Sequence, residues 1–226
     1  MLKTLLASAL FAGLIAGLFA AGLQQVFLVP LIAEAELYET GALIHFGGAE
    51  AGPAAAAAEI DLTRTLLTVL MTVLTTCGFG LILVAGFALA ERLHLTRIDL
   101  RTGLLFGLAA FTSIQLLPSM GLSPELPGMG AGELGQRQLW WLFTAAGTLA
   151  GISLIVWGNA STKIIGVVMI AAPYLIGAPH PEVFVGVVPP ELAAMFTARV
   201  LAVGGLTWAV LGALAGHFWS RETASA

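Results

Sequence analysis

Three carboxylates lie close together in the stretch EAELYE, as Glu34, Glu36 and Glu39, and His45 follows shortly after. Glu125 sits in PSMGLSPELPG, from Pro118 to Gly128, a segment too rich in turn formers to be a helix. His180 and Glu182 come directly after Gly177-Ala178-Pro179. Carboxylates with an imidazole suit a weak, exchangeable hold on a divalent cation of the Mn-to-Zn series. A single loop acid most often only keeps its loop solvated, whereas a group sums to a field that concentrates cations. Glu34, Glu36, Glu39, Glu125, His45, His180 and Glu182 are therefore the candidate transient contacts for a metal ion in transit.

A second pattern lies on one segment. Asp61, Thr65, Thr68, Thr72 and Thr76 recur at helical spacing, which aligns their polar groups along one face. Gln24, Gln25 and Gln115 fall at a similar depth in their own segments. A lone threonine in a helix tends to bond its own backbone and pack, but several on one face suit a hydrated path. Thr65, Thr68, Thr72, Thr76, Gln24, Gln25 and Gln115 are the candidate lining of that path.

No catalytic residue is identified. The chain has no G-x-x-x-x-G-K-[ST], no H-E-x-x-H and no G-x-S-x-G, and His45, His94, His180 and His217 are scattered without ligand spacing. Cys77 is the single cysteine, which excludes an internal disulfide and a thiolate metal cage. No cofactor is expected. The net charge of −4 and the absence of a Lys/Arg cluster argue against nucleic acid as a partner.

These residues are positioned by a membrane protein. Of 226 residues, 58% are hydrophobic and 10% are charged, too few charges to cover a soluble fold. The apolar residues form long runs, and a bilayer admits only helices or closed barrels as spanning structures. Strand-like alternation is absent, so the fold class is all-α, a polytopic transmembrane bundle in one domain, residues 1–226. Helices are predicted at about 4–32, 62–90, 102–117, 139–158, 163–177 and 195–219. The first apolar run, Leu5 to Ala33, is too long for the core of a signal peptide and reads as a retained helix.

With the N-terminus cytoplasmic, six spans place Lys3, Arg92, Arg97, Arg101, Lys163 and Arg221 inside, with Glu91, Asp99 and Glu222. Arg64, Arg137 and Arg199 fall outside with the remaining acids, which include Glu50 and Glu59. The basic residues thus obey the positive-inside rule, and both termini are cytoplasmic. Gly13/Gly17, Gly103/Gly107, Gly147/Gly151 and Gly212/Gly216 have the spacing that lets helices approach closely, better explained by packing within this chain than by a dimer seam. The six spans also read as three two-helix parallel repeats, each passing through a proline into an acidic outer loop.

EAELYE, the PSMGLSPELPG loop, Arg137-Gln138-Leu139-Trp140-Trp141 and the later Gly-Ala-Pro resemble, in order and spacing, the CbtA family of proposed cobalt-transport subunits. Ser123 stands where a second proline is expected before PELPG. The resemblance implies a multi-pass protein of the inner membrane, associated with cobalamin biosynthesis. It also implies a small CbtB-type membrane partner with a His-rich tail. The family is usually described with five predicted spans, and the short fifth segment is the difference from the count of six. The expected function is a permease subunit for cobalt uptake through an acidic outer mouth, with homo-oligomers open. The competing readings are a non-transporting scaffold for metal or corrin handling and an exporter of a small organic solute.

Overall fold

The computed structural model describes residues 2–45 and 61–224; Glu50 and Glu59 lie outside the described residues. Within them the chain is helical, and the single strand-like feature is an isolated bridge between Met129 and Gly186. The elements are α1 (Leu2–Phe27), α2 (Val29–Glu39), α3 (Leu62–Arg92), α4 (Leu100–Phe111), a π-helical turn (Thr112–Leu116), α5 (Leu117–Gly121), α6 (Leu134–Trp157), α7 (Ala160–Ile176) and α8 (Pro190–Ala224).

Among the described residues five helical stretches are long and apolar enough to cross a membrane: Leu5–Phe27, Leu62–Arg92, Leu100–Gly121, Leu134–Trp157 and Pro190–Glu222. The sixth predicted span is α7, with 17 residues. At 1.5 Å per residue it reaches about 25 Å, short of a hydrocarbon core of about 30 Å.

Helix starts follow local capping chemistry. The Asp61 carboxylate accepts the Thr63 and Arg64 amides at the head of α3, so Asp61 is a cap and not the top of a polar stripe. Asp99 accepts from Thr102, Glu133 from Gly135 and Gln136, and Asn159 from Thr162. These caps explain why α6 and α7 begin before the apolar runs at 139 and 163, which hydropathy alone marked out.

Prolines break two helices. The predicted span 4–32 divides at Leu28, because Pro30 lacks the amide that would continue the ladder. Arg199 of α8 donates to the Phe27 carbonyl at this break, at 3.2 Å. Pro118 falls within α5, so the helix runs on to Gly121 instead of ending at 117.

The core is built from α1, α3, α4 and α8. A methyl group on Gly103 or Gly107 would collide with the Gly212 and Trp208 carbonyl oxygens respectively, so the α4–α8 crossing requires glycine on both helices. Gly13 sits 2.5 Å, measured from where its Cβ would be, from Cys77 Cα, which brings α1 equally close to α3. Only α1 and α3 pack extensively as a predicted hairpin; α4 lies on α8, and α6 lies on α7.

The α6–α7 pair joins this core through the broken helix, and two adjacent tryptophans make the joint. Trp141 Nε1 donates to the Ile114 carbonyl at 3.0 Å, the oxygen whose helical donor is missing because Pro118 has no N–H. Trp140 Nε1 donates to the Pro173 carbonyl at 3.1 Å, and its ring meets Tyr174 edge-on. Tyr174 in turn donates to the Leu117 carbonyl at 2.6 Å. An interfacial anchor would hold its indole toward the headgroups; Trp140 is instead 7% exposed and turned into the protein.

One end of the bundle gathers α2 and the loops around 122–133 and 177–189. Leu31 and Ala35 of α2, Leu126 and Val188 form a small apolar cluster with Leu192 and Phe196 of α8. The Gly130 amide donates to the Val185 carbonyl at 2.8 Å, tying the two loops together. At the opposite end Glu91 accepts from the Ile98 amide and from Trp219 Nε1, which fastens α3, the turn before α4 and α8.

Candidate functional site

Between α3 and α8, with α1 behind them, lies a cavity of about 570 Å³. Its polar lining is Gln24, Thr68, Thr72, Thr75, Thr76, Gln115 and Thr207, and among the described residues no ionisable side chain lines it. Repeat spacing places the threonines. Positions 68, 72 and 76 fall on one face of α3, and 200, 204 and 207 on one face of α8.

Gln115 enters by a different route. It lies in the π-helical turn, where an extra residue per turn rotates side chains out of α-helical register. Its Nε2 donates to the Val200 carbonyl at 3.3 Å. Its amide lies where a Cβ at position 204 would sit, so Gly204 makes room for it.

At one end of the cavity Thr68 Oγ1 donates to the Arg64 carbonyl, and the Arg64 guanidinium binds both oxygens of Glu36. That ion pair therefore stands one helical turn beyond the rim. Hydrogen bonding from Arg64 holds the Glu36 carboxyl below the usual glutamate range; its partial burial opposes this and the arginine charge adds to it. At the other end Phe79, Trp208 and Leu211 form the floor, with Phe79 and Trp208 rings 5.0 Å apart. Beneath them the interior is packed with apolar residues such as Val84, Phe87 and Ala215.

The acidic candidates occupy the same end of the bundle as this rim, without forming a ligand cage. Glu36 is paired with Arg64, and Glu125 accepts from Arg137 at 2.7 Å. Glu34 is exposed on α2, and Glu39 is exposed where α2 ends against Gly128. His180 and Glu182 are exposed in the 177–189 loop, with the His180 ring 5.6 Å from Phe184. His45 is exposed beyond α2. Among the described residues no three His, Cys, Asp or Glu side chains are grouped as a metal ion would need.

Both specific blocks of the sequence now have a structural place: Glu125 of PELPG is clasped by Arg137, and the two tryptophans after it fasten the broken helix. The sequence profile of the CbtA family, described as probable cobalt transporter subunit, matches residues 2–220. The chain belongs to the CbtA family. No curated protein and no solved structure matches it. As a CbtA chain with several long apolar helices it is a multi-pass membrane protein and a subunit of a probable cobalt transporter.

Of the predicted lining, Thr68, Thr72, Thr76, Gln24 and Gln115 meet in this CbtA cavity. Thr65 lies above its rim on α3, and Gln25 is turned about 100° around α1 from Gln24, so neither lines it. Sequence reasoning missed Thr75, which stands beside Thr72 and Thr76 on α3, and also Thr207. The signal for Thr207 was its spacing from Val200, Val203 and Gly204, which follows one helix face but contains no second hydroxyl.

Proposed function

We propose that the chain is the membrane permease subunit for cobalt ion uptake, and that the ion passes through the cavity between α3 and α8. The observation that carries this reading is a cavity in an apolar bundle whose polar lining is threonine and glutamine, with the Glu36–Arg64 pair one turn beyond Thr68 at one end and Phe79 and Trp208 at the other. Hydrophobic floors of this kind gate by excluding water. Glu34, Glu36, Glu39, Glu125, Glu182, His45 and His180 act as the mouth, drawing cations by their summed field and holding them only in passing.

Six crossings with cytoplasmic termini are supported by the charge distribution and by α7, which packs back along α6 so that 177–189 meets 122–133. The inner membrane, the link to cobalamin biosynthesis and a small CbtB-type partner with a His-rich tail rest on the family resemblance. The word subunit in the family description supports a partner in general. Inward movement of a divalent cation gains about 4.6 kcal/mol per 100 mV. That sustains a gradient on the order of a thousandfold without ATP.

Vesicles containing the purified protein, with and without the small partner, test the proposal. A permease passes radioactive cobalt under an inside-negative potential. A scaffold gives flux no greater than empty vesicles, and that result would overturn the reading.

A further inference from the structure

The polar groups of the cavity share one orientation of their protons. Thr68 Oγ1 donates to the Arg64 carbonyl at 2.8 Å, Thr76 to Thr72 at 2.7 Å and Thr207 to Val203 at 2.8 Å. Thr72 donates to Gln24 Oε1 at 3.0 Å. A hydroxyl has one proton and two lone pairs, so each of these four threonines has given its proton away and keeps only acceptor capacity. Gln115 commits its amide nitrogen to the Val200 carbonyl and keeps its oxygen. Donors remain on the two glutamine amides and on Thr75, which is exposed at the cavity edge. The polar groups, a minority of a largely apolar lining, thus offer mainly oxygen lone pairs and carry no charge.

Such a surface suits a cation, but it cannot replace a tightly held water shell. Inner-sphere binding of a first-row divalent ion calls for imidazole, thiolate or carboxylate, and none of the described lining residues supplies one. Small divalent ions dehydrate reluctantly and keep their waters where the protein offers little in exchange. Six waters occupy about 180 Å³ at roughly 30 Å³ each. The cavity volume of about 570 Å³ takes an ion together with its first shell.

We propose that the cavity is an outer-sphere site: it holds a divalent cation with its water shell intact, the waters donating to Thr68, Thr72, Thr76, Thr207 and Gln115. This rests on the permease reading and adds the state in which the ion travels. Outer-sphere recognition reads charge and hydrated size, so cobalt, nickel and magnesium compete nearly equally at this site. Preference among metals then has to come from groups outside the cavity.

The test uses the full chain in nanodiscs and hexaamminecobalt(III), whose ammine ligands do not exchange and which binds only through its outer sphere. Saturable binding by equilibrium dialysis is expected, with competition between this complex and cobalt(II). Thr72→Val combined with Thr76→Val keeps shape while removing two oxygens, and should weaken both tenfold or more. Serine at the same positions should restore most of the loss. Binding of cobalt(II) with no binding or competition by the ammine complex would overturn the proposal, as would no binding of either species. Affinity for manganese, cobalt, nickel and copper rising in the order of ligand-field strength would do the same. The wild-type competition requires no variant, so a valine variant that fails to fold leaves it decisive. A protein that binds the ammine complex but passes no cobalt in vesicles supports the site and refutes the permease reading.

Discussion

Thr72 Oγ1 donates to Gln24 Oε1 at 3.0 Å, so α3 and α1 are joined by a side-chain hydrogen bond part-way down the cavity wall. Gln24→Leu removes the acceptor and frees the threonine proton to turn into the cavity. One neutral hydrogen bond contributes about 1 kcal/mol, so the variant should fold and reach normal membrane levels. We expect cobalt uptake per molecule to fall severalfold, measured against protein abundance. Unchanged uptake would place the ion path elsewhere.

The Glu36–Arg64 pair is partly exposed, and pairs of that kind contribute about 0–1 kcal/mol. The folded-state pKa of Glu36 is depressed, so its contribution is present above the ordinary glutamate value and lost as pH falls through the lowered one. Melting curves should show a small decline in stability at acid pH that Glu36→Gln removes. The electrostatic effect on uptake should exceed this. Arg64→Gln unmasks a carboxylate at the mouth and should raise cobalt uptake at low ionic strength, while Glu36→Gln leaves an unopposed arginine and should lower it. Equal uptake in both variants would show that the mouth exerts no field on the ion.

Trp141→Phe keeps an aromatic ring but leaves the Ile114 carbonyl without its indole donor. A typical hydrogen bond contributes about 0.5–1.5 kcal/mol, and this one lies in the turn that carries Gln115. We expect a lower melting temperature in detergent together with reduced uptake per molecule. Trp140→Phe, at a residue that does not line the cavity, should reduce stability alone.

Gly107→Ala drives a methyl group into the Trp208 carbonyl, and overpacking costs about 1–3 kcal/mol. Gly86→Ala on α3 meets nothing within 4 Å. Thermal melts of the two variants should separate clearly, with Gly107→Ala destabilised and Gly86→Ala indistinguishable from the parent protein.

Membrane topology can be read by labelling after Cys77→Ser. Cysteines at Ala131 and Val183 should react with an impermeant maleimide from outside intact spheroplasts, and those at Thr96 and Ser161 should not. Labelling at 131 without labelling at 183 would reduce the count to five crossings.

Features carried by one segment were the legible ones. The stripe through Thr68, Thr72 and Thr76 depends on helical spacing alone, and those three residues do share the cavity. The breaks at Pro30 and Pro118 are local in the same sense, since each follows from one missing amide. Features that need two segments were not legible. Gly103/Gly107 and Gly212/Gly216 were visible as motifs, but nothing in either said that α4 would lie on α8. Hydropathy cannot reveal that a Pro173 carbonyl awaits the Trp140 indole. Nothing local to Glu36 and Glu125 reveals their pairing, because Arg64 and Arg137 lie on other segments.

The cavity walls come from α1, α3 and α8, helices far apart in the chain. During synthesis α1 and α3 reach the bilayer well before α8 has left the ribosome. Until then Thr72 and Gln24 have no facing wall, and the Phe79 side of the floor has no Trp208 to close it. A nascent chain therefore offers no enclosed route for ions. The cavity is complete only after insertion of α8 brings Trp219 to Glu91 at the far end of the bundle.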